Sequence, residues 1–342
     1  MNPSSDCRIA IVGAGAIGCR IAGHWLDAGI PCTLVDGWAD HVSAIRSRGL
    51  HFERHGQVRE MAMPAFTFEA PPTGDFDLVF IATRGDQTAQ VLPLARSLMA
   101  PDGCMVSAQN GLNEDEIAQA VGPQRTLGCS MIFGARLAGP GHVQVIEGPD
   151  LMRVGGLPGV PAAQVDRLVH LMAPCGSITR TDNLIGYRWT KLVLNATGNP
   201  LLLLTGLGGQ ALHDDPIGRQ VMGRLVREIF RVALADGASP QPLLELATKE
   251  WLADDAAHLQ AQEAAWQAHG RTLGTRRLSM VADFQARGRT EVDAITGKVV
   301  RKAAGLGLRV PLNEAVLRMV HELEQGRREP GLQALAELAA LG

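Results

Sequence analysis

The feature that most constrains the fold of this chain is a glycine-rich loop placed directly after a short apolar segment. The apolar segment is Ile9–Val12, and the loop that follows has the GxGxxG pattern Gly13-Ala14-Gly15-Ala16-Ile17-Gly18. A helical pattern over Cys19–Ala28 and a second apolar run, Thr33–Val35, come next. A strand, a loop of this type and a helix in this order predict the phosphate-binding turn of a Rossmann domain.

Each glycine of the loop has a separate expected role. Gly13 permits the tight turn, Gly15 lets a pyrophosphate approach the backbone, and Gly18 allows the helix to pack closely on the strand. The phosphates would bind the free N–H groups at the positive end of the helix. The alternative is a glycine-rich turn that binds no ligand.

Asp36 ends the second predicted strand, directly after the apolar run Thr33–Val35. A carboxylate at this position accepts hydrogen bonds from the ribose hydroxyls of NAD and repels the 2′-phosphate of NADP. The sequence therefore favours NAD, although Arg46 and Arg48 lie close enough in sequence to weaken that preference. A carboxylate that only caps the next helix is the alternative.

Residues 8–180 alternate short apolar runs with helical patterns, which predicts a Rossmann domain over residues 1–180 with a mainly parallel, doubly wound α/β sheet. Two of the predicted strands, Leu78–Ala82 and Met105–Ser107, are followed by the polar residues Arg84 and Asn110. Ligands bind at the carboxyl ends of strands in such sheets, so both are candidate site residues. Other predicted strands are Thr126–Met131, and Val143–Ile146 paired with Met152–Val154 as an edge hairpin around the turn Glu147–Asp150.

Beyond that point the pattern is helical to the end of the chain, which predicts an all-α domain over residues 181–342. The predicted helices are Arg188–Leu194, Gly218–Asp236, Leu243–His269, Thr275–Ala286, Thr290–Gly305, 314–325 and 331–341. Asp215-Pro216 and Val310-Pro311 are typical of helix starts, with proline in the first turn.

Composition excludes several classes of function. The net charge of −3 gives no basic field for nucleic acid or a membrane surface, and apolar runs are too short to span a bilayer. The six cysteines are scattered without a CxxC pair, so we expect buried, reduced thiols rather than a metal site or disulfides. With no targeting segment recognised, we expect a cytoplasmic protein with a small-molecule substrate.

One helical segment of the second half carries a polar stripe. Lys191, Asn195 and Asn199 are four residues apart and so share one helix face, while their neighbours Leu192 to Leu194 are apolar. Buried polar groups need partners, so the stripe is a candidate ligand site, with a merely solvated face as the alternative. Farther along, Glu291 follows Thr290, where its charge would favour the positive end of a helix.

Taken together, these segments resemble the ketopantoate reductase (2-dehydropantoate 2-reductase) family over nearly the whole chain. The resemblance rests on the glycine loop and on the blocks Gln109–Asn113, Pro140–Val143, Trp189–Pro200, Ser279-Met280 and Gly288–Asp293. It implies hydride transfer between a nicotinamide cofactor and a 2-oxo acid, in either direction, in a cleft between the two domains. It also implies a homodimer as one possible assembly.

The resemblance assigns roles to individual residues. The family's catalytic lysine falls on Lys191 and its glutamate on Glu291. The substrate contacts fall on Asn110, Asn195, Asn199 and Ser279, and the cofactor contacts on residues 13–18 (Gly13, Ala14, Gly15, Ala16, Ile17, Gly18), Asp36, Arg84 and Asn110. A lysine ammonium stabilises the negative charge that forms on a reduced carbonyl oxygen and delivers its proton, so the residue types suit this chemistry.

The sequence also departs from the family pattern. Arg84 stands where lysine is frequent, Arg276 where asparagine is common, and the segment Glu245–Thr275 is longer than expected. These changes concern the substrate, so ketopantoate and other acids both remain open. An opine- or 6-phosphogluconate-type dehydrogenase, or an NAD-binding regulator without catalysis, are the alternative functions.

Overall fold

The computed structural model of the protein describes residues 7–274 and 279–341. The chain divides into two compact units, Met1–Leu184 and Ile185–Gly342. The first is a mainly parallel sheet flanked by helices, and the described residues of the second form a helical domain. The predicted fold class is therefore confirmed.

The first unit is built on one sheet with the strand order β4-β3-β9-β8-β7-β6-β1-β2-β5, and β10 pairs with β9. The strands are β1 Ile9–Val12, β2 Thr33–Asp36, β3 Leu50–Arg54, β4 Gln57–Met61, β5 Ala65–Thr67, β6 Phe76–Ile81, β7 Met99–Ser107, β8 Thr126–Gly139, β9 His142–Gly156 and β10 Ser177–Arg180. The helices are α1 Ala16–Asp27, α2 Ala39–Arg48, α3 Thr88–Leu98, α4 Glu114–Val121 and α5 Ala162–Met172. Pairing is parallel from β5 through β2, β1, β6 and β7 to β8, and antiparallel for β8–β9 and β3–β4.

Both faces of strand β1 are buried, which explains its unbroken apolar sequence. Ile9 and Ile11 belong to a core that includes Trp25 of α1, whereas Ala10 and Val12 belong to a second core with residues of α3 and α4. Since successive side chains of a strand point to opposite faces, the two cores lie on opposite sides of the sheet. This is the doubly wound arrangement that the sequence predicts.

The predicted hairpin between Val143–Ile146 and Met152–Val154 is wrong. These residues belong to the single strand β9, which pairs antiparallel with β8 and lies inside the sheet. The register passes from Ile132–Leu151 to Gly134–Ile146, so residues 147–150 bulge opposite Phe133. Arg20 of α1, which is fully buried, holds the bulge through an ion pair with Asp150 at 2.7 Å.

The second unit contains α6 Leu184–Thr205, α7 Gly209–Asp214, α8 Pro216–Ala235, α9 Thr248–Leu252, α10 Ala256–Leu273, α11 Ser279–Arg287, α12 Thr296–Gly305, α13 Pro311–Glu324 and α14 Gln333–Ala339. The predicted starts at Pro216 and Pro311 are confirmed. Asp215 caps α8 by accepting the Gly218 N–H at 2.8 Å, and the Glu228 carboxylate accepts the Leu312 and Asn313 N–H groups at the start of α13.

Three predicted helices are wrong at their boundaries. Arg188–Leu194 is only the middle of the longer helix α6. Leu243–His269 is not one helix, because Leu244 and Glu245 have positive φ angles and Asp255 caps a new helix at the His258 N–H. Thr290–Gly305 becomes helical only at Thr296. The prediction over Thr275–Ala286 begins outside the described residues, and its remainder falls in α11.

All six cysteines are buried and unpaired by disulfides, as predicted. Among the described helices, none is both long enough and apolar enough to cross a membrane.

Candidate functional site

The strand order of the sheet reverses direction at β1, and this reversal places two loops side by side. Strand β2 lies on one side of β1 and β6 on the other, so the connections that follow β1 and β6 leave the sheet at its switch point. The two connections touch, since a Cβ at Gly13 would lie 2.5 Å from the Thr83 nitrogen. Open α/β sheets bind their ligands at this position.

The three glycines of the loop differ in what surrounds them. Gly13 has a φ of 104°, which disfavours any other residue. A Cβ at Gly18 would lie 2.0 Å from the Gly13 carbonyl oxygen, so α1 packs on the loop at a distance that only glycine allows. A Cβ at Gly15 would meet no atom within 4 Å. Gly15 therefore borders open space at the start of α1, a cradle that suits a dinucleotide pyrophosphate.

Asp36 is fixed beside this loop by two backbone groups. Its Oδ2 accepts the Ala14 N–H at 2.6 Å, and its Oδ1 accepts the Trp38 N–H at 2.8 Å. A carboxylate has about four acceptor sites, so each oxygen can accept one more hydrogen bond. The half-buried side chain thus lies at the glycine loop with capacity for two hydroxyl donors.

The segments next to Asp36 are acidic rather than basic. Strand β5 pairs with β2 through Thr67 and Asp36, and the adjoining residues 37–40 and 68–69 contain Asp40 and Glu69 but neither lysine nor arginine. Arg46 and Arg48 are exposed in the last turn of α2. At 1.5 Å per residue, Arg46 lies about 10 Å and Arg48 about 14 Å along the helix from its start at Ala39.

The other predicted strand-end residues are held in their turns. Arg84 forms an ion pair with Asp86, with Nε and Nη2 at 3.2 and 3.1 Å from its carboxylate oxygens. Asn110 is half-buried in the turn after β7, and its carbonyl accepts the Asn113 side-chain amide at 2.8 Å.

Sequence reasoning gave no role to Gln109, which joins the two turns. Its buried Nε2 donates to the carbonyls of Thr83 and Arg84, each at 3.1 Å, and to Thr88 Oγ1 at 2.9 Å. Gln109 thereby fixes the turn after β6 relative to the turn after β7. Its position directly before Asn110 was the available signal, but its three partners lie in the turn after β6 and at the start of α3.

In the second unit, Lys191, Asn195 and Asn199 all belong to α6, so the predicted stripe lies on one continuous helix. Asn199 is only 3% exposed, Lys191 and Asn195 are half-buried, and Leu192, Val193 and Ala196 between them are buried. The stripe extends about 12 Å along the helix axis. It is therefore not a solvated helix face.

Glu291 lies in a turn rather than on a helix, which corrects its expected position at a helix start. It precedes α12 by five residues, and its carbonyl accepts the N–H groups of Ala294 and Ile295. The turn is held by Glu324, whose Oε1 accepts both the N–H and the hydroxyl of Thr290 at 2.7 Å. Ser279 begins α11, and Arg276 lies outside the described residues.

Comparison with known proteins identifies relatives for both units. Residues 9–159 match the family model "Ketopantoate reductase PanE/ApbA", and residues 183–324 match "Ketopantoate reductase PanE/ApbA C terminal". A 2-dehydropantoate 2-reductase from Pyrococcus horikoshii is 28% identical over 323 residues, which are 93% of this chain and 97% of the relative.

Two solved structures share the fold over almost their full length. D-mandelate dehydrogenase, solved with NADH and anilino(oxo)acetate, has a TM-score of 0.80 at 25% identity and covers 94% of this chain and 99% of its own. A PanE/ApbA family ketopantoate reductase from Ralstonia eutropha JMP134 has a TM-score of 0.77 at 25% identity, with the same coverage.

Proposed function

This chain belongs to the ketopantoate reductase family of nicotinamide-dependent oxidoreductases, and we propose that it transfers a hydride between the cofactor and a 2-oxo acid/2-hydroxy acid pair. The observation that carries the proposal is the polar stripe of α6. A lysine and two asparagines lie on one face of a helix, among the buried apolar residues Leu192, Val193 and Ala196. A small number of polar groups in an otherwise apolar lining is typical of a small-molecule site.

Lys191 is the proposed general acid. When bound, the nicotinamide supplies the hydride for reduction of the ketone or takes it up in the reverse direction. Addition to the ketone leaves negative charge on its oxygen, which the Lys191 ammonium stabilises and protonates. In the reverse direction the neutral amine takes the proton from the hydroxyl.

The remaining candidate residues orient the acid. Asn195, Asn199 and Ser279 suit a carboxylate and a carbonyl, because amides and hydroxyls donate hydrogen bonds. Glu291 accepts a hydrogen bond from a substrate hydroxyl. Asn110, in the turn after β7, is assigned to both substrate and cofactor.

Named relatives supply two acids with which to test the proposal. Some are called 2-dehydropantoate 2-reductases, and a structural neighbour is a D-mandelate dehydrogenase. Purified protein would be mixed with NADH or NADPH and a panel of 2-oxo acids that includes 2-dehydropantoate and benzoylformate, and nicotinamide absorbance would be followed. Consumption with one of these acids supports the proposal. Dinucleotide binding without turnover of any acid in the panel would favour a regulator instead.

For the cofactor, we propose a preference for NADH over NADPH, which rests on Asp36. Its two oxygens are held at the glycine loop with acceptor capacity left, and residues 37–40 and 68–69 provide no lysine or arginine for a 2′-phosphate. Lost hydrogen bonds and charge repulsion together cost about 2–3 kcal/mol, since charged hydrogen bonds contribute about 1.5–3 kcal/mol each. This corresponds to a preference of about 10²-fold.

The substitution Asp36→Ser tests this preference against the matched control Asp40→Ser. Both remove one carboxylate, but Asp40 is an exposed residue in the first turn of α2. We expect Asp36→Ser to bring kcat/KM for the two cofactors within a few-fold of each other, while Asp40→Ser leaves the preference nearly unchanged. A wild-type preference for NADPH that Asp36→Ser does not alter would contradict the proposed contact.

A homodimer also remains a prediction from the resemblance. Light scattering coupled to size-exclusion chromatography would test it, because it measures the mass in solution against the 36.4 kDa of one chain.

A further inference from the structure

One tryptophan of this chain differs from the others in its exposure. Trp38 is 43% exposed, whereas Trp25, Trp189, Trp251 and Trp266 are buried. Trp38 lies two residues after Asp36, at the start of α2. A large aromatic ring left in water at a candidate ligand site is suited to contact that ligand.

The orientation of this ring is set by a buried partner. Trp38 stacks on His41 with ring centroids 5.2 Å apart and planes inclined by 13°. His41 is fixed from two sides, because its Nδ1 accepts the Gly141 N–H at 2.9 Å and its Nε2 lies 3.4 Å from Cys19 Sγ. One face of Trp38 is thus covered, and a planar ligand can stack on the other.

His41 is a neutral support. Burial lowers the pKa of its imidazole below the ordinary value of 6.5, and an Nδ1 that accepts a hydrogen bond from an amide carries no proton. His41, on which Trp38 stacks, is therefore neutral at neutral pH.

Backbone contacts on either side of Trp38 hold this residue next to Asp36, the proposed ribose-binding residue. The Trp38 N–H donates to Asp36 Oδ1 at 2.8 Å, and Gly37 packs against Phe68, where a Cβ would lie 3.1 Å from the ring. Adenine is one glycosidic bond from the ribose, and Asp36 is proposed to accept hydrogen bonds from the hydroxyls of that ribose. A fixed aromatic ring close to that carboxylate is within reach of the base.

We propose that the exposed face of Trp38, supported by His41, is the surface on which the adenine of the dinucleotide stacks. The inference rests on the proposed function, since it names a specificity residue of the same cofactor site. A neutral adenine stacks through its π face and brings no negative charge, so it suits this acidic surface, whereas a phosphate does not.

Fluorescence quenching by acrylamide tests the proposal directly, because Trp38 is the tryptophan that a neutral quencher reaches most readily. We expect saturating NAD⁺, or AMP, to reduce quenching in the wild type, and nicotinamide mononucleotide, which lacks adenine, to leave it unchanged. Trp38→Phe should remove the accessible component both with and without NAD⁺.

Calorimetry provides the second measurement. Trp38→Ala should weaken the binding of NAD⁺ by about 5- to 150-fold, the effect of losing one base–aromatic stacking contact. Trp38→Phe should retain most of the affinity. Leu332→Ala, which truncates an exposed apolar side chain in the other unit, should leave NAD⁺ affinity unchanged.

The outcomes separate this inference from the proposed function. If NAD⁺ binds with heat release but leaves Trp38 equally accessible, the stacking is refuted and the oxidoreductase proposal stands. If neither NAD⁺ nor NADP⁺ binds, both are refuted.

Discussion

The glycine loop allows a paired test in which two similar substitutions should have opposite consequences. Gly15 and Gly18 are three residues apart, but a Cβ at Gly15 meets nothing within 4 Å, whereas a Cβ at Gly18 lies 2.0 Å from a backbone oxygen. Gly15→Ala should therefore affect the ligand, and Gly18→Ala should affect the fold.

The expected cost of Gly18→Ala follows from two opposing terms. Replacing glycine by alanine inside a helix gains about 1 kcal/mol in helix propensity. Against this, α1 must move away from Gly13 by more than an ångström, and overpacking of this kind costs about 1–3 kcal/mol or more. Because backbone cannot rotate away as a side chain can, we expect the cost to be about 3 kcal/mol, which leaves a net loss of about 2 kcal/mol in the free energy of unfolding.

Gly15→Ala should leave stability within about 1 kcal/mol of the wild type, because Gly15 has φ −66° and ψ −172°, angles that alanine adopts readily. The added methyl occupies the space proposed for the pyrophosphate. A clash of about 1–3 kcal/mol corresponds to NADH binding that is about 10- to 100-fold weaker.

Urea unfolding and NADH titration would be measured on both variants. Gly15→Ala with normal NADH affinity would refute the pyrophosphate assignment. Gly18→Ala with unchanged stability would refute the packing argument, whatever its effect on the cofactor.

Three further predictions concern catalysis and acid stability. Lys191→Ala should lower kcat by about 10²- to 10⁴-fold, the effect of a positioned general acid, and should retain the affinity for NADH. The control Lys249→Ala, at an exposed lysine, should have the kcat of the wild type. Near-normal turnover of Lys191→Ala would show that the lysine has a structural role. Glu291→Ala should raise KM more for a hydroxyl-bearing acid such as 2-dehydropantoate than for hydroxyl-free benzoylformate, whereas equal effects would indicate a structural role in the turn before α12. Burial, reinforced by the Arg20 and Arg54 charges, lowers the pKa of His24 from 6.5 to about 4. Between these two pH values His24 is protonated in the unfolded chain but neutral in the folded chain. The free energy of unfolding should therefore fall by up to about 3 kcal/mol as the pH drops from 6.5 to 4. Urea unfolding across that range should show a shallower decline in His24→Leu than in the wild type, and parallel curves would exclude His24 as a source.

The strand and loop elements of the first unit were predictable because their signals are local. A buried strand requires an unbroken apolar run, and the turn after β1 requires glycine at Gly13, where φ is positive. The bulge in β9 was not predictable from the same kind of signal. Gly148 and Pro149 indicate a turn, but the bulge is held by Arg20, which belongs to the first helix of the chain.

The start of the helix predicted over Thr290–Gly305 was wrong for the same reason. Thr290 and Glu291 look like the start of a helix, yet the Thr290 N–H and hydroxyl both donate to Glu324 at the end of α13. With those groups held from outside, residues 291–295 form turns and α12 begins at Thr296. A sequence pattern predicts which groups need partners, but not which distant side chain supplies them.

This difference between local and distant signals also explains how the candidate site could be predicted in part. The cofactor residues Gly13 to Asp36 lie within one strand–helix–strand segment, and strand geometry alone brings them together at one switch point. Apart from Asn110, the substrate residues extend from Lys191 to Glu291, and only the α6 part has a spacing that fixes a common face. Helical periodicity therefore supports Lys191, Asn195 and Asn199 as one group, while Glu291 enters that group through family resemblance. Of the site residues, Glu291 is consequently the one whose role depends most on the substrate comparison between 2-dehydropantoate and benzoylformate.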